Sequence, residues 1–100
     1  MKTNISLQVR QPKAETSIID ITGEINAFAE NALMDAYTLA TTNGARNILL
    51  NFENLEYMNS SGIGLLVTLL IRVQRQKQRL LAYGLSEHYR QIFELTRLNE

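Results

Sequence analysis

The sequence contains no cysteine and only one histidine, and these two shortages exclude several kinds of site. Without cysteine the chain can form neither a disulfide framework nor a cysteine-based zinc site, and it has no thiol nucleophile. With His88 as the single histidine, neither a histidine-rich metal site nor a histidine relay is expected. We therefore predict no metal and no cofactor.

The chain also lacks an excess of charge of either sign, since ten basic residues balance ten acidic ones. A nucleic-acid-binding domain usually shows a clear basic excess, so nucleic acid is not an expected partner. The charges are nevertheless unevenly spread: residues 15–60 hold seven acids and one base, whereas residues 72–79 hold four bases and no acid. The basic run either neutralises the end of a helix, where cations are favoured, or faces a partner.

Long apolar runs are missing as well. The longest, residues 63–71, is interrupted by Gly64 and Thr68, and a membrane-spanning helix needs about 20 apolar residues. The first four residues do not open an apolar signal segment. The sequence therefore predicts a cytoplasmic protein without membrane insertion.

The sequence does contain a regular alternation of strand and helix patterns. Alternating apolar residues predict a strand over residues 5–10, and β-branched residues predict one over 16–22. Short apolar runs predict strands over 47–52 and 80–83. Spacings of three and four predict helices over 28–42, 61–76 and 86–95, with turns at 11–14 and 43–44. The order β-β-α-β-α-β-α predicts an α/β domain whose mixed sheet begins with an antiparallel hairpin and continues in right-handed β-α-β units.

The two longer helices carry apolar stripes of different composition. The first stripe is rich in alanine, which lets a helix approach a sheet closely, and we expect Leu39 to belong to it. The second stripe is wider than one sheet face needs, because Leu65, Leu69 and Ile71 extend it. These residues are expected in the core, and the excess width leaves a partner-docking patch as the alternative.

The most informative segment is residues 57–64, Tyr-Met-Asn-Ser-Ser-Gly-Ile-Gly, which joins the third strand to the second helix. Ser60 and Ser61 lie where the start of a helix leaves backbone N–H groups unpaired. Either serine can cap the helix, or it can present its hydroxyl to a kinase. Because no Gly-Lys-Ser/Thr follows Gly62 and Gly64, a nucleotide-binding loop is not expected.

The remaining chemistry-bearing residues form no catalytic constellation. Glu24, Glu53 and Glu56 are carboxylates without a complementary nucleophile or metal partner. His88 follows Ser86, a predicted helix cap, and is expected at a helix start or on the surface. We therefore do not expect an enzyme, and an enzyme or small-ligand carrier is the most distant hypothesis.

Residues 48–66 contain an apolar strand, a short acidic loop, the segment around Ser60 and the start of an apolar helix. This pattern resembles the STAS family, the fold of bacterial anti-sigma factor antagonists, in which aromatic-Met-Asp-Ser-Ser-Gly-Leu-Gly occupies this place. Residues 22–25 and 92–98 are weaker matches. The resemblance covers nearly the whole chain and implies one STAS domain over residues 1–100, with its helices packed on one face of the sheet.

In the resembled family, a partner that is both anti-sigma factor and serine kinase phosphorylates the first serine of the pair, which is Ser60 here. The unphosphorylated antagonist binds the kinase and frees the sigma factor, and a PP2C-type phosphatase resets the cycle. The resemblance therefore implies a regulatory protein that phosphorylation of Ser60 switches off, with Ser61 expected to cap the helix. The implied partner surface consists of Asn26, Asn59, Ser60, Ser61, Gly62 and Gly64.

Two residues depart from the family pattern. Asn59 stands where an Asp usually precedes the serine pair, and Asn26 stands where an Asp usually follows Gly-Glu-apolar. Both changes delete a negative charge, which either retunes the contact with the kinase or marks a member that is switched differently. The chain also stops at Glu100, where relatives usually continue with one more strand and helix, so a truncated terminus is expected.

The asparagines mildly favour a second hypothesis. In it, the chain is a non-catalytic STAS subunit of a larger transport or stress-signalling assembly, and Ser60 is only a helix cap.

Overall fold

The computed structural model describes residues 4–96. Within them, four strands and three α-helices follow the predicted order β-β-α-β-α-β-α, and a single 3-10 turn, Ala27–Ala29, precedes the first helix. The strands are β1 (Ile5–Lys13), β2 (Thr16–Ile25), β3 (Asn47–Met58) and β4 (Arg79–Tyr83), and the helices are α1 (Glu30–Thr41), α2 (Ser60–Arg75) and α3 (Glu87–Thr96).

The four strands form one mixed sheet in the order β1-β2-β3-β4. β1 and β2 pair in antiparallel fashion, as the predicted hairpin requires, whereas β3 and β4 are added in parallel. We call the end of the sheet where Ile25 pairs with Met58 the carboxyl end. The opposite end, where Asn47 pairs with Arg79, is the amino end.

The core lies between one face of the sheet and the helices. The hydroxyl of Ser17 in β2 donates to the carbonyl oxygen of Ala40 in α1 at 2.6 Å. The ring of Phe93 in α3 meets that of Phe52 in β3 edge-on, with centroids 5.8 Å apart. The mixed α/β architecture with helices on one face is thus the predicted fold class. The largest fully buried aliphatic side chains are Ile19, Ile21, Ile25, Leu33, Ile48, Leu66, Leu69 and Val73.

The opposite face of the sheet carries a row of polar side chains. The guanidinium of Arg10 donates to both carboxylate oxygens of Asp20, at 2.7 and 3.2 Å, and to the hydroxyl of Tyr83 at 3.3 Å. The amide of Asn51 donates to Asp20 at 2.8 Å. The row therefore crosses all four strands, and its hydrogen bonds, those from Arg10 foremost, lower the pKa of Asp20.

The first two strands are longer than predicted. β2 runs through Gly23, which takes a left-handed φ of 102° instead of ending the strand. A Cβ at this position would overlap the carbonyl oxygen of Asn4, so glycine is needed for the start of β1 to pair closely with β2 here. β1 extends to Lys13 and includes Pro12, which is tolerated because β1 is an edge strand. The turn predicted at residues 11–14 accordingly lies at residues 14–15.

The acidic segment after Phe52, predicted as a loop, is strand. β3 continues through Met58 and follows β2 with two register shifts, one between Asp20 and Thr22 and one between Gly23 and Glu24. The register shifts interrupt the alternation of apolar and polar residues in this part of β3. A sequence pattern with a period of two therefore does not identify it as strand.

Two apolar residues predicted in the helix stripes are exposed. Leu39 is 62% exposed. The buried face of α1 consists of Leu33, Ala36, Tyr37 and Ala40, so Tyr37 and not Leu39 completes the apolar stripe. Ile71 is 44% exposed.

In α2 the core-facing line runs through Gly62, Leu66, Leu69 and Val73. Leu69, predicted at the margin of the stripe, is at its centre. Leu95, the last residue of the third predicted helix, and residues 97–98 of the weaker family match lie outside the described side chains.

None of the helices within residues 4–96 is long and apolar enough to cross a bilayer.

Candidate functional site

α2 begins at the carboxyl end of the sheet, and Asn59 is its N-cap. The Asn59 backbone is extended, and its side-chain oxygen accepts the N–H of Gly62 at 2.9 Å. Its carbonyl oxygen accepts the N–H of Ile63 at 3.0 Å. Asn caps helices as well as Asp and Ser do. The prediction that Ser61 caps the helix is therefore wrong.

Both serines are left without a capping role. Ser60 and Ser61 are the first two residues of α2, and both are exposed. Among the residues that the structure describes, neither hydroxyl has a hydrogen-bond partner. The idea that Ser60 is only a helix cap is contradicted by the same geometry.

Gly62 allows the first turn of α2 to press against the end of β2. It is buried, and a Cβ there would overlap the carbonyl oxygen of Ile25 and lie 2.8 Å from the carbonyl carbon. The same carbonyl oxygen accepts the N–H of Asn59 at 3.2 Å. A side chain at position 62 would therefore push the serines away from the sheet, and Gly62 acts through packing.

Gly64 has no comparable packing requirement. Its backbone is helical, it is exposed, and a Cβ there would meet nothing within 4 Å. Glycine inside a helix costs about 1 kcal/mol relative to alanine. Gly64 follows Ser60 by four residues and shares its helix face, so the missing side chain leaves open space beside the Ser60 hydroxyl.

Asn26 and Asn59 lie side by side at the carboxyl end, because Ile25 pairs with Met58. The side-chain oxygen of Asn26 accepts the N–H of Phe28 at 2.9 Å and caps the 3-10 turn. Both asparagines thus supply the hydrogen-bond acceptor that an aspartate carboxylate would supply at the same position. Relative to aspartate, asparagine at these positions differs in lacking a negative charge.

Tyr89 of α3 supports the site from the core side. Its hydroxyl accepts the N–H of Met58 at 2.9 Å and donates to the carbonyl oxygen of the same residue at 3.4 Å. Met58 is the last residue of β3, so this contact fixes the strand where the site begins. No sequence pattern indicated this hydrogen bond, because it joins residues that are 31 positions apart.

The carboxyl end also carries aromatic and acidic side chains. Phe28 is 53% exposed and Tyr57 is 54% exposed. Tyr57 pairs with Glu24 across the sheet, and Glu56 precedes it. Sequence reasoning missed Phe28, because it was expected to be an ordinary first residue of the helix.

The serines lie on the open surface and line neither of the two cavities described below. Cavities of about 400 and 290 Å³ lie elsewhere, one at the amino end and one between α1 and β1. Within residues 4–96, no group of three or more His, Asp or Glu side chains gathers that could hold a metal ion. An exposed hydroxyl on a fixed backbone suits modification by, and binding to, another protein.

The STAS domain model matches residues 6–100 of the chain. The chain belongs to the STAS domain family. An anti-sigma-B factor antagonist of Staphylococcus aureus (strain NCTC 8325 / PS 47) is 30% identical to this STAS domain over 82 residues, which are 82% of this chain and 76% of the relative.

The solved structures that are similar to this STAS domain include two of SpoIIAA. The anti-sigma factor antagonist SpoIIAA in its unphosphorylated form has a TM-score of 0.73 and 26% identity, over 90% of this chain and 83% of that one. The Bacillus cell fate determinant SpoIIAA in the phosphorylated form has a TM-score of 0.73 and 26% identity, over 93% and 85%. The family and the fold class predicted from the sequence are confirmed.

Proposed function

We propose that this STAS domain is an anti-sigma factor antagonist, a regulatory protein that binds an anti-sigma factor and is switched off by phosphorylation of Ser60. The observation that carries the proposal is the exposed, unbonded hydroxyl of Ser60 at a helix start that Asn59 already caps. The names of the Staphylococcus relative and of SpoIIAA, which is known in phosphorylated and unphosphorylated forms, support the same role.

The geometry around Ser60 suits phosphoryl transfer from ATP bound to a kinase. The Ser60 oxygen attacks the γ-phosphorus, the bond to the bridging oxygen of ADP breaks, and the hydroxyl proton passes to a base of the kinase. Such a reaction needs an in-line approach, and the open space at Gly64 leaves room for it. This chain supplies the acceptor hydroxyl and no catalytic group.

The phosphate that Ser60 receives is tolerated by the domain itself. It brings about −1.5 to −2 charges, which the positive pole of α2 partly compensates. The first N–H groups of a helix are also suited to an anion. Phosphorylation therefore requires no change of fold.

The same phosphate is not tolerated in the complex with the kinase. After transfer it lies beside the phosphates of the spent nucleotide, so like charges meet. One unit of like charge at ~4 Å costs about 4 kcal/mol at an effective dielectric constant near 20. That cost corresponds to roughly a thousandfold loss of affinity, enough to release the antagonist. Glu56, close in sequence, adds to the unfavourable field.

In the proposed cycle the partner of the unphosphorylated form is an anti-sigma factor that is also a serine kinase. A PP2C-type phosphatase restores the free hydroxyl of Ser60. The sigma factor, the kinase and ATP are cytoplasmic, and the proposal places this domain in the same compartment.

Incubation with the cognate kinase and ATP, followed by intact-mass measurement, tests the proposal. Wild type and the matched control Ser61→Ala are expected to gain one phosphate, and Ser60→Ala none. An unlabelled wild type, or a Ser60→Ala variant labelled as wild type is, would contradict the assignment.

A further inference from the structure

The amino end of the sheet carries a basic surface that the proposed function does not use. Arg75 ends α2, Lys77 lies in the turn that follows, and Arg79 begins β4. Arg46 lies beside them, because its carbonyl oxygen accepts the N–H of Arg79 at 2.7 Å. We call these four exposed residues the basic end.

A preformed cleft of about 400 Å³ opens at the basic end, and Arg46 and Lys77 line it. The side chain of Gln78 forms the floor of the cleft and is fixed there by hydrogen bonds. The amide of Gln78 donates to the hydroxyl of Thr41 and, at 2.8 Å, to the carbonyl oxygen of Ala45, and its oxygen accepts the hydroxyl of Tyr37 at 2.6 Å. The cleft thus has a fixed polar floor and cationic side chains at its rim.

The positive charge of the basic end is larger than the negative charge of the helix C-termini beside it. α1 and α2 both finish here, and each pole carries about half a negative charge. Glu15 adds one carboxylate, since its carbonyl oxygen accepts the N–H of Arg46 at 2.8 Å. The two helix poles and the Glu15 carboxylate together neutralise about two of the four positive charges, so about two positive charges remain. Within residues 4–96, the salt bridge that forms is Arg10–Asp20, so the four basic side chains of the basic end form no salt bridge with a described residue.

The hydrogen-bond donors that the cleft offers to a ligand belong to side chains, because backbone N–H groups lining it are already bonded within the protein. The N–H groups of Gly44, Lys77 and Gln78 are bonded to the carbonyl oxygens of residues 41, 74 and 73. The cleft therefore lacks the backbone cradle that holds phosphate in nucleotide sites. The long cationic side chains of Arg46 and Lys77 around an open cleft can bind carboxylates that are spaced along a flexible peptide segment. Nucleic acid is a less suitable ligand, because the chain has a net charge of zero.

We propose that the basic end is a second docking site, which takes an acidic segment of a partner protein. It lies at the opposite end of β3 from Ser60, so both sites can be occupied at once. The domain can then be held in an assembly through its basic end while Ser60 remains accessible to a kinase.

The test is a titration of the isotope-labelled protein with a short peptide of alternating Glu and Ser, followed by backbone amide NMR. A matched peptide with Gln in place of Glu is the control ligand. Shifts are expected at residues 44–46 and 76–79 with the Glu peptide only. The Ser60→Asp variant is expected to bind the Glu peptide as wild type does.

A double variant, Arg46→Gln with Lys77→Gln, is expected to weaken binding of the Glu peptide about fivefold, since two solvent-exposed charge pairs are lost and each contributes little. Arg90→Gln removes one exposed cation elsewhere and is expected to change nothing. Both variants alter only exposed side chains, and their amide spectra report folding directly.

Three outcomes would overturn the proposal: shifts centred on residues 57–64, equal binding of the Gln peptide, or equal weakening by Arg90→Gln. Inorganic phosphate producing the same shifts would assign the cleft to a small anion instead. Shifts that grow with protein concentration in the absence of peptide would assign it to a second copy of the chain.

Discussion

At the start of α2, three consecutive polar residues, Asn59, Ser60 and Ser61, are all good N-caps by preference. The sequence locates the helix start correctly within this run. It cannot decide which residue has the extended backbone of a cap, because the β2–β3 pairing that fixes Asn59 is a tertiary feature. The structure assigns capping to Asn59, and this leaves Ser60 available for modification.

Replacing Asn59 by Ala is expected to lower the free energy of unfolding by about 1 kcal/mol, because the N–H of Gly62 loses its acceptor. Ser60→Ala and Ser61→Ala are expected to stay within about 0.5 kcal/mol of wild type, as for surface positions. Urea unfolding measures all three. A cost for Ser61→Ala as large as that for Asn59→Ala would contradict the cap assignment.

The two glycines of the segment are expected to respond in opposite directions. Gly62→Ala should destabilise by about 1–3 kcal/mol, because its methyl group would overlap the Ile25 carbonyl. Gly64→Ala should stabilise by up to about 1 kcal/mol, since its methyl group meets open space.

The same Gly64→Ala variant should be phosphorylated more slowly, because the methyl group crowds the approach to Ser60. Thermal unfolding and single-turnover labelling give the two readouts. Gly62→Ala as stable as wild type, or Gly64→Ala labelled at the wild-type rate, would contradict these assignments.

The strands and helices themselves were largely predictable. Apolar runs, β-branched residues and helical spacings of three and four located all four strands and all three α-helices of residues 4–96. Their ends were less predictable where irregular backbone is involved, as at Gly23 inside β2 and at the shifted register of β3. The face of α1 was misjudged at Leu39, because the buried hydroxyl of Tyr37 finds its acceptor on Gln78, far away in sequence.

The contact between α3 and β3 yields a prediction for Tyr89→Phe. Removal of the hydroxyl leaves the N–H of Met58 without its partner, which should cost about 1–3 kcal/mol. Hydrogen exchange at the Met58 amide should accelerate. Tyr57→Phe removes a hydroxyl from an exposed ring and is the matched control, with no expected change. Equal stability of the two variants would refute the supporting role of Tyr89.

Across the whole molecule, the structure separates charges that the sequence showed only as runs. The acidic residues Glu24 and Glu56 lie near Ser60 at the carboxyl end, and the four bases of the basic end lie at the other. The polar row across the open sheet face was not predictable, because Arg10 reaches Tyr83 only after all four strands are paired.

The polar row gives the domain a defined response to acid. Hydrogen bonds from Arg10 lower the folded-state pKa of Asp20 below its unfolded value of about 3.9. Its contribution to stability is therefore present above about pH 4 and is lost as the pH falls through the folded-state pKa. The difference in unfolding free energy between wild type and Asp20→Asn should shrink over this range. Parallel pH profiles would contradict this role.

The decisive measurement for a Ser60 switch is the affinity of the cognate anti-sigma factor for this domain with and without phosphate on Ser60, determined by calorimetry with nucleotide present. We expect the phosphorylated form to bind roughly a thousandfold more weakly. Ser61→Ala should behave as wild type before and after phosphorylation. Equal affinity of the two forms, with the phosphate located on Ser60, would rule out the switch.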